Sequence, residues 1–96
     1  MATIITTRKL QPGDFENWKA RFEDGATARK KAGCRGVRRF RSVDDPNEVI
    51  VIMDWDSLDN GRRFIEGNMQ VLRDRNPGVP LNVNNIYVEE IESLDS

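Results

Sequence analysis

The segment VIVIMDW, Val49 to Trp55, places five apolar side chains in succession in a chain of which 32% of the residues are charged. Successive side chains of a β-strand point to opposite faces, so a strand with one wet face alternates apolar and polar residues. Val49, Ile50, Val51, Ile52 and Met53 do not alternate. The segment therefore predicts a strand, Glu48 to Trp55, that is covered on both sides. The rest of the sequence has to supply both covers.

Around this strand the punctuation is clear. Asp44-Asp45-Pro46-Asn47 is a turn signal, and Cys34 to Ser42 before it reads as the other arm of a hairpin. Ser57 is a good N-cap, opening a helix with Leu58, Gly61, Phe64 and Ile65 facing inward. Gly67 is expected to end that helix, with Asn68 capping a further turn that carries Met69 and Leu72. The loop NPGVP, residues 76–80, leads to a last strand through Val83, Ile86, Val88 and Ile91. Upstream, residues 3–9 (TIITTRK) are rich in β-branched side chains and read as a first strand. After the Pro12-Gly13 turn, Phe15, Trp18, Phe22 and Ala26 fall at helical spacing. Gly25 weakens that helix in its middle, and Gly33 stops it behind a basic last turn.

The order β-α-β-β-α-β predicts an α+β, ferredoxin-like fold over a single domain, residues 1–96. Four antiparallel strands carry two helices on one face, with the first and third strands central. The helices supply one cover for VIVIMDW. Burying apolar surface contributes about 25 cal/mol per Å², so the opposite face is expected to be covered too, by a second copy of the chain.

Composition narrows the function. Lys and Arg total 15 and Asp and Glu 16, for a net charge of −1, a balance that argues against nucleic acid or an anionic membrane as partner. RNA-recognition modules share the strand order but present aromatics on their central strands, and TIITTRK has none. There is no histidine, which removes the commonest general base and the usual ligand of zinc and haem iron. Cys34 is the one cysteine, so neither an intrachain disulfide nor a cysteine metal cluster can form. It reads as a small hydrophobe at a strand start. No signal-peptide-like or membrane-spanning apolar run is present, and the cytoplasm is the expected compartment.

With FENWKARFED as first helix, and an aliphatic strand running into Asp54-Trp55-Asp56-Ser57 before the second, the chain resembles the dimeric α/β-barrel superfamily, in its antibiotic biosynthesis monooxygenase-like group. The resemblance implies a homodimeric α/β barrel with a site for a small hydrophobic or aromatic ligand. It also implies activities such as oxygenation of phenolic polyketides without metal, flavin or other cofactor. The branches that rely on histidine, haem degradation and histidine-based cyclisation, do not fit a chain without one. A non-catalytic ligand-binding or interaction module of the same fold is the alternative.

Cofactor-free oxygenation needs an apolar pocket, a base, and donors that hold the substrate anion. Trp55, Asn85, Tyr87 and Asp54 are the catalytic candidates, with Asp56 a further carboxylate and Asn84 a further amide. Arg38, Phe40, Trp55 and Tyr87 are the candidates for substrate binding. Trp55 also has a plain reading, as a core residue at a strand end. Residues 28–41 hold seven basic side chains and no acid, whereas the C-terminal stretch holds Glu89, Glu90, Glu92 and Asp95. Three readings stay open for the basic run: a solvated face, an edge that meets the acidic edge of a second copy, or an anion site at Arg38 or Arg39.

Overall fold

The computed structural model describes residues 2–96. Its elements are β1 (Ala2–Lys9), α1 (Phe15–Asp24), α2 (Ala26–Ala32), β2 (Cys34–Arg41), β3 (Glu48–Trp55), α3 (Leu58–Arg75) and β4 (Val83–Glu89). The strands form one antiparallel sheet in the order β2-β3-β1-β4, so β1 and β3 are central and β2 and β4 are edges, as the ferredoxin-like reading requires.

The register divides VIVIMDW between two environments. Val49, Val51, Met53 and Trp55 are buried, whereas Ile50, Ile52 and Asp54 between them are only half-buried. Ile4, also buried, lies opposite Met53 on one side and Tyr87 on the other. That parity identifies the helix-covered face, where Ile4 and the odd residues of β3 meet Trp18 of α1 and Ile65 of α3 in one core. The alternate parity places Ile5, Ile50, Ile52, Phe40, Ile86 and Val88 on the face without helices.

Three departures from the sequence reading have physical causes. The first helical region is two helices, because Gly25 ends α1 and starts α2. At that break the Arg29 guanidinium donates to the Phe22 carbonyl at 2.6 Å and stacks on the Phe22 ring at 3.9 Å. A side chain at position 25 would come within 2.9 Å of Arg29 Nη1, so glycine makes room for it. Second, α3 does not stop at Gly67 but runs on to Arg75. A helical glycine costs only about 1 kcal/mol relative to alanine, and Met69, one turn after Ile65, still packs on the core. Third, β4 ends at Glu89, the register partner of Ala2. Ile91 lies beyond that pairing and is 96% exposed.

The ends of the elements are tied by short links. Ser57 caps α3, its hydroxyl accepting the Asn60 N–H at 3.1 Å. Gly33 closes α2 at φ +117°, where its carbonyl accepts the Asp56 N–H at 2.9 Å. The extra residue of β2, between Cys34 and Gly36, makes a bulge opposite the end of β3. Of the basic run, Arg39 and Arg41 lie on the helix-covered side of β2. Arg39 reaches Glu23 at 3.1 Å and lies 5.1 Å from the Phe22 ring centre, and Arg41 stacks on Phe15 at 3.9 Å.

Gly61 seats α3 directly against the buried core. A Cβ there would lie 2.8 Å from both Ile4 Cδ1 and Trp55 Cγ, and neither buried side chain has room to retreat. Gly61→Ala is expected to destabilise the domain by about 1–3 kcal/mol through overpacking, despite alanine's better helix propensity. Urea denaturation of the two proteins measures the difference, and Gly67→Ala, open to solvent, should change stability in the opposite direction.

Candidate functional site

The alternation that sorts VIVIMDW also sorts the residues after it. Trp55 turns under the helices and has no exposed surface. Asp54 turns to the helix-free face, where it accepts the Thr3 hydroxyl at 2.8 Å. Asp56 is exposed beyond the strand, accepting from Asn60 Nδ2 at 3.0 Å and facing Arg35 at 3.8 Å.

The candidate residues therefore fall into two groups. Trp55, Tyr87 and Asn85 share the helix-covered face. Asp54, Arg38, Phe40 and Asn84 share the other, with Arg38 opposite Ile52 and Phe40 opposite Ile50. The structure does not bring Asp54, Arg38 or Phe40 beside Trp55 within one chain. Asn85 is already engaged, its Oδ1 accepting the Thr6 hydroxyl at 2.6 Å. Arg39 is committed to Glu23 and α1, and Arg38 to the neighbourhood of Phe40, with its guanidinium 5.8 Å from the ring centre.

Ile4 links the helix-side group. It touches the Gly61 seat that Trp55 also lines, and it is the register neighbour of Tyr87. Phe64 packs on Trp55 with ring centres 5.3 Å apart. Arg62 lies over the Tyr87 ring at 4.8 Å, so the first two turns of α3 meet both the tryptophan and the tyrosine. The Arg62 contact is invisible to helical periodicity, which assigns a charged side chain outside the apolar stripe to solvent. Its one signal is that Arg62 follows the inward Gly61.

Trp55 Nε1 is buried and has no hydrogen-bond partner among the described residues. A buried donor without an acceptor costs about 1–3 kcal/mol. Tyr87 adds a second donor on the same face of the sheet. Desolvation, then the Glu66 carboxylate, push its phenol above the usual range, and Arg62 partly opposes them. Tyr87 thus stays a neutral hydroxyl well past neutral pH. Cys34 is less promising: burial pushes its thiol up, and it donates weakly to the Gly36 carbonyl at 3.5 Å, the opposite of thiolate activation. Among the described residues, no group of three or more cysteine, aspartate or glutamate side chains could hold a metal ion. No described helix is long and apolar enough to cross a membrane.

The model of the antibiotic biosynthesis monooxygenase family matches residues 1–66. No curated protein matches the sequence. Solved structures do. A mutant of SnoaB, a cofactor-independent oxygenase from Streptomyces nogalater, is 14% identical with a TM-score of 0.71, over 99% of this chain and 97% of that one. A candidate antibiotic biosynthesis monooxygenase from Bordetella bronchiseptica is 24% identical with a TM-score of 0.69, over 97% of each chain. A mutant of MhuD, solved with two manganese protoporphyrin IX per active site, is 16% identical with a TM-score of 0.70 over the whole of both chains. At these identities the likeness is one of fold.

Tyr87 is the sole tyrosine, so its ionisation can be followed by tyrosinate absorbance. It is expected to ionise above the ordinary value of 10.0. Glu66→Gln should bring the transition down and Arg62→Leu should push it further up. Because the folded-state value is raised, the associated stability is fully present below the unfolded value and is lost as pH rises through the folded one.

Proposed function

This chain belongs to the antibiotic biosynthesis monooxygenase family, and from that premise we propose that it is a cofactor-independent oxygenase acting on a small aromatic, polyketide-like substrate. The observation that carries the proposal is the unpartnered, fully buried N–H of Trp55. Two donors on the helix-covered face, Trp55 Nε1 and the neutral Tyr87 hydroxyl, suit an oxygen on which negative charge develops. A preorganised donor of this kind accelerates a reaction by about 10²–10³-fold.

An anthrone-type substrate illustrates the chemistry. Its methylene carbon loses a proton to water as the two donors stabilise the resulting anion. That electron-rich anion reduces dioxygen directly. The methylene becomes a carbonyl, four electrons pass to dioxygen, one oxygen atom enters the product and the other leaves as water. No external reductant is required. Trp55 is closed to solvent, so substrate entry requires Phe64, half-buried beside it, to move.

The test is aerobic incubation with anthrone, following quinone absorbance and dissolved oxygen. Expected is one dioxygen consumed per quinone, with Trp55→Phe slowing turnover by about 10²–10³-fold. An unchanged rate in the variant, or no turnover above the uncatalysed oxidation, would overturn the reading. One observation favours a second reading, a non-catalytic ligand-binding or interaction module: Asp54, the carboxylate next to Trp55 in sequence, faces away and is bonded to Thr3. Ligand binding without oxidation would support that module.

The same proposal includes a homodimer in which a second copy covers the helix-free face. Its support is the apolar surface there, where Phe40 is 46% and Ile86 45% exposed around Ile50, Ile52 and Ile5. Sedimentation at micromolar concentration should find a dimer, and Ile52→Asp should release single chains. A wild-type monomer, or a variant that stays dimeric, would count against it.

A further inference from the structure

A second site lies at the other end of the sheet from Trp55. Trp55 pairs with Ala2 and Val49 with Arg8, so roughly 20 Å of strand separates the two. Around Arg8 there is a cavity of about 410 Å³, within the size range of small-molecule sites. Its walls come from the end of β1, the loop before α1 and Arg21 of α1, the last turn of α3 and the loop at 79–82.

The lining combines apolar and cationic side chains with the amides of Gln11, Asn76 and Asn82. Leu10, Leu72, Val79, Pro80 and Leu81 supply the apolar part, and Arg8, Lys9, Arg21 and Arg75 the charge, against one carboxylate, Asp14. The pairing leaves a surplus. Arg21 reaches Asp14 at 3.3 Å, and Lys9 pairs with Asp45. The guanidinium groups of Arg8 and Arg75 have no ion pair and no hydrogen bond among the described residues. Arg75 is exposed, whereas Arg8 is half-buried on the helix-covered face, between Val49 and Val83 in the register. A guanidinium in such surroundings loses hydration without gaining a paired carboxylate. Burial, then the nearby Arg21, accordingly lower its proton affinity, and Asp14 offsets only part of this.

We propose that this cavity is a binding site for an organic phosphate monoester with an apolar body, its phosphate held between Arg8 and Arg75. Two unmatched guanidiniums balance the charge of about −1.5 to −2 that a monoester carries at pH 7. The guanidinium fork matches phosphate oxygens in bidentate fashion. The leucines, Val79 and Pro80 cover the body of the ligand. This site is independent of the oxygenase reading, since it shares no residue with the Trp55 end.

1-Naphthyl phosphate titrated into the full-length chain by calorimetry tests the assignment. Expected is saturable one-site binding, weakened at least tenfold in Arg75→Gln, which removes an exposed side chain and leaves the fold intact, and in Arg8→Gln. Arg73→Gln removes the same charge two residues away, outside the cavity lining, and should bind as the wild type does. 1-Naphthol and inorganic phosphate should each bind at least tenfold more weakly than the ester. Equal binding by 1-naphthol or 1-naphthoate would overturn the doubly charged head, and equal binding by inorganic phosphate would overturn the apolar body. No saturable binding of the ester, or equal losses in Arg73→Gln and Arg75→Gln, would overturn the site itself.

Discussion

The parity of β3 is the constraint on which the rest depends. Once Val49, Val51, Met53 and Trp55 are committed to the helices, the pairing with β1 fixes Ile4 among them. A slip of one residue would exchange the two faces of the sheet. It would bring Asp54 under α3 and leave Trp55 without the Gly61 seat that its ring requires. The close approach of helix and strand at Gly61 therefore enforces the register, and the register positions every residue considered for function.

That same parity explains how far the sequence could be read. The strand order, the edges, the two central strands and the limits of β3 all follow from hydrophobic pattern and turn chemistry. The two glycines inside helices were harder. Gly25 and Gly67 look alike in sequence, but one meets an arginine and breaks the helix while the other faces open space and does not. What distinguishes them is a side-chain contact across the break, from Arg29 to Phe22, which helix propensity does not contain. The end of β4 is likewise not contained in local propensity, since Ile91 is as good a strand former as Ile86.

The candidate site was legible residue by residue but not as a set. Tyr87 and Asn85 on one face, and Trp55 at the strand end, are period-two inferences that the register bears out. The grouping of Arg38 and Phe40 with Trp55 did not follow, because β2 pairs with β3 so that these two side chains oppose Ile52 and Ile50. The basic run divides in the same way. Arg29, Arg39 and Arg41 close over the aromatic stripe of α1, so a run that resembles a charged surface is partly the outer layer of the core. The Arg8 and Arg75 cavity lay beyond sequence reasoning altogether, since its cations come from segments more than sixty residues apart.

The bulge between Cys34 and Gly36 has a consequence for how such chains pack in crowded solution. An edge strand with regular, unpaired backbone groups is a template on which another chain can grow a ladder. The extra residue of β2 breaks that spacing, and the cations at positions 35, 38, 39 and 41 would repel an identical strand laid alongside. β4 has neither protection along Val83–Val88. Open-ended stacking of sheets needs two receptive borders on every molecule, and this one offers a single one, so growth by strand addition would halt after the first pairing.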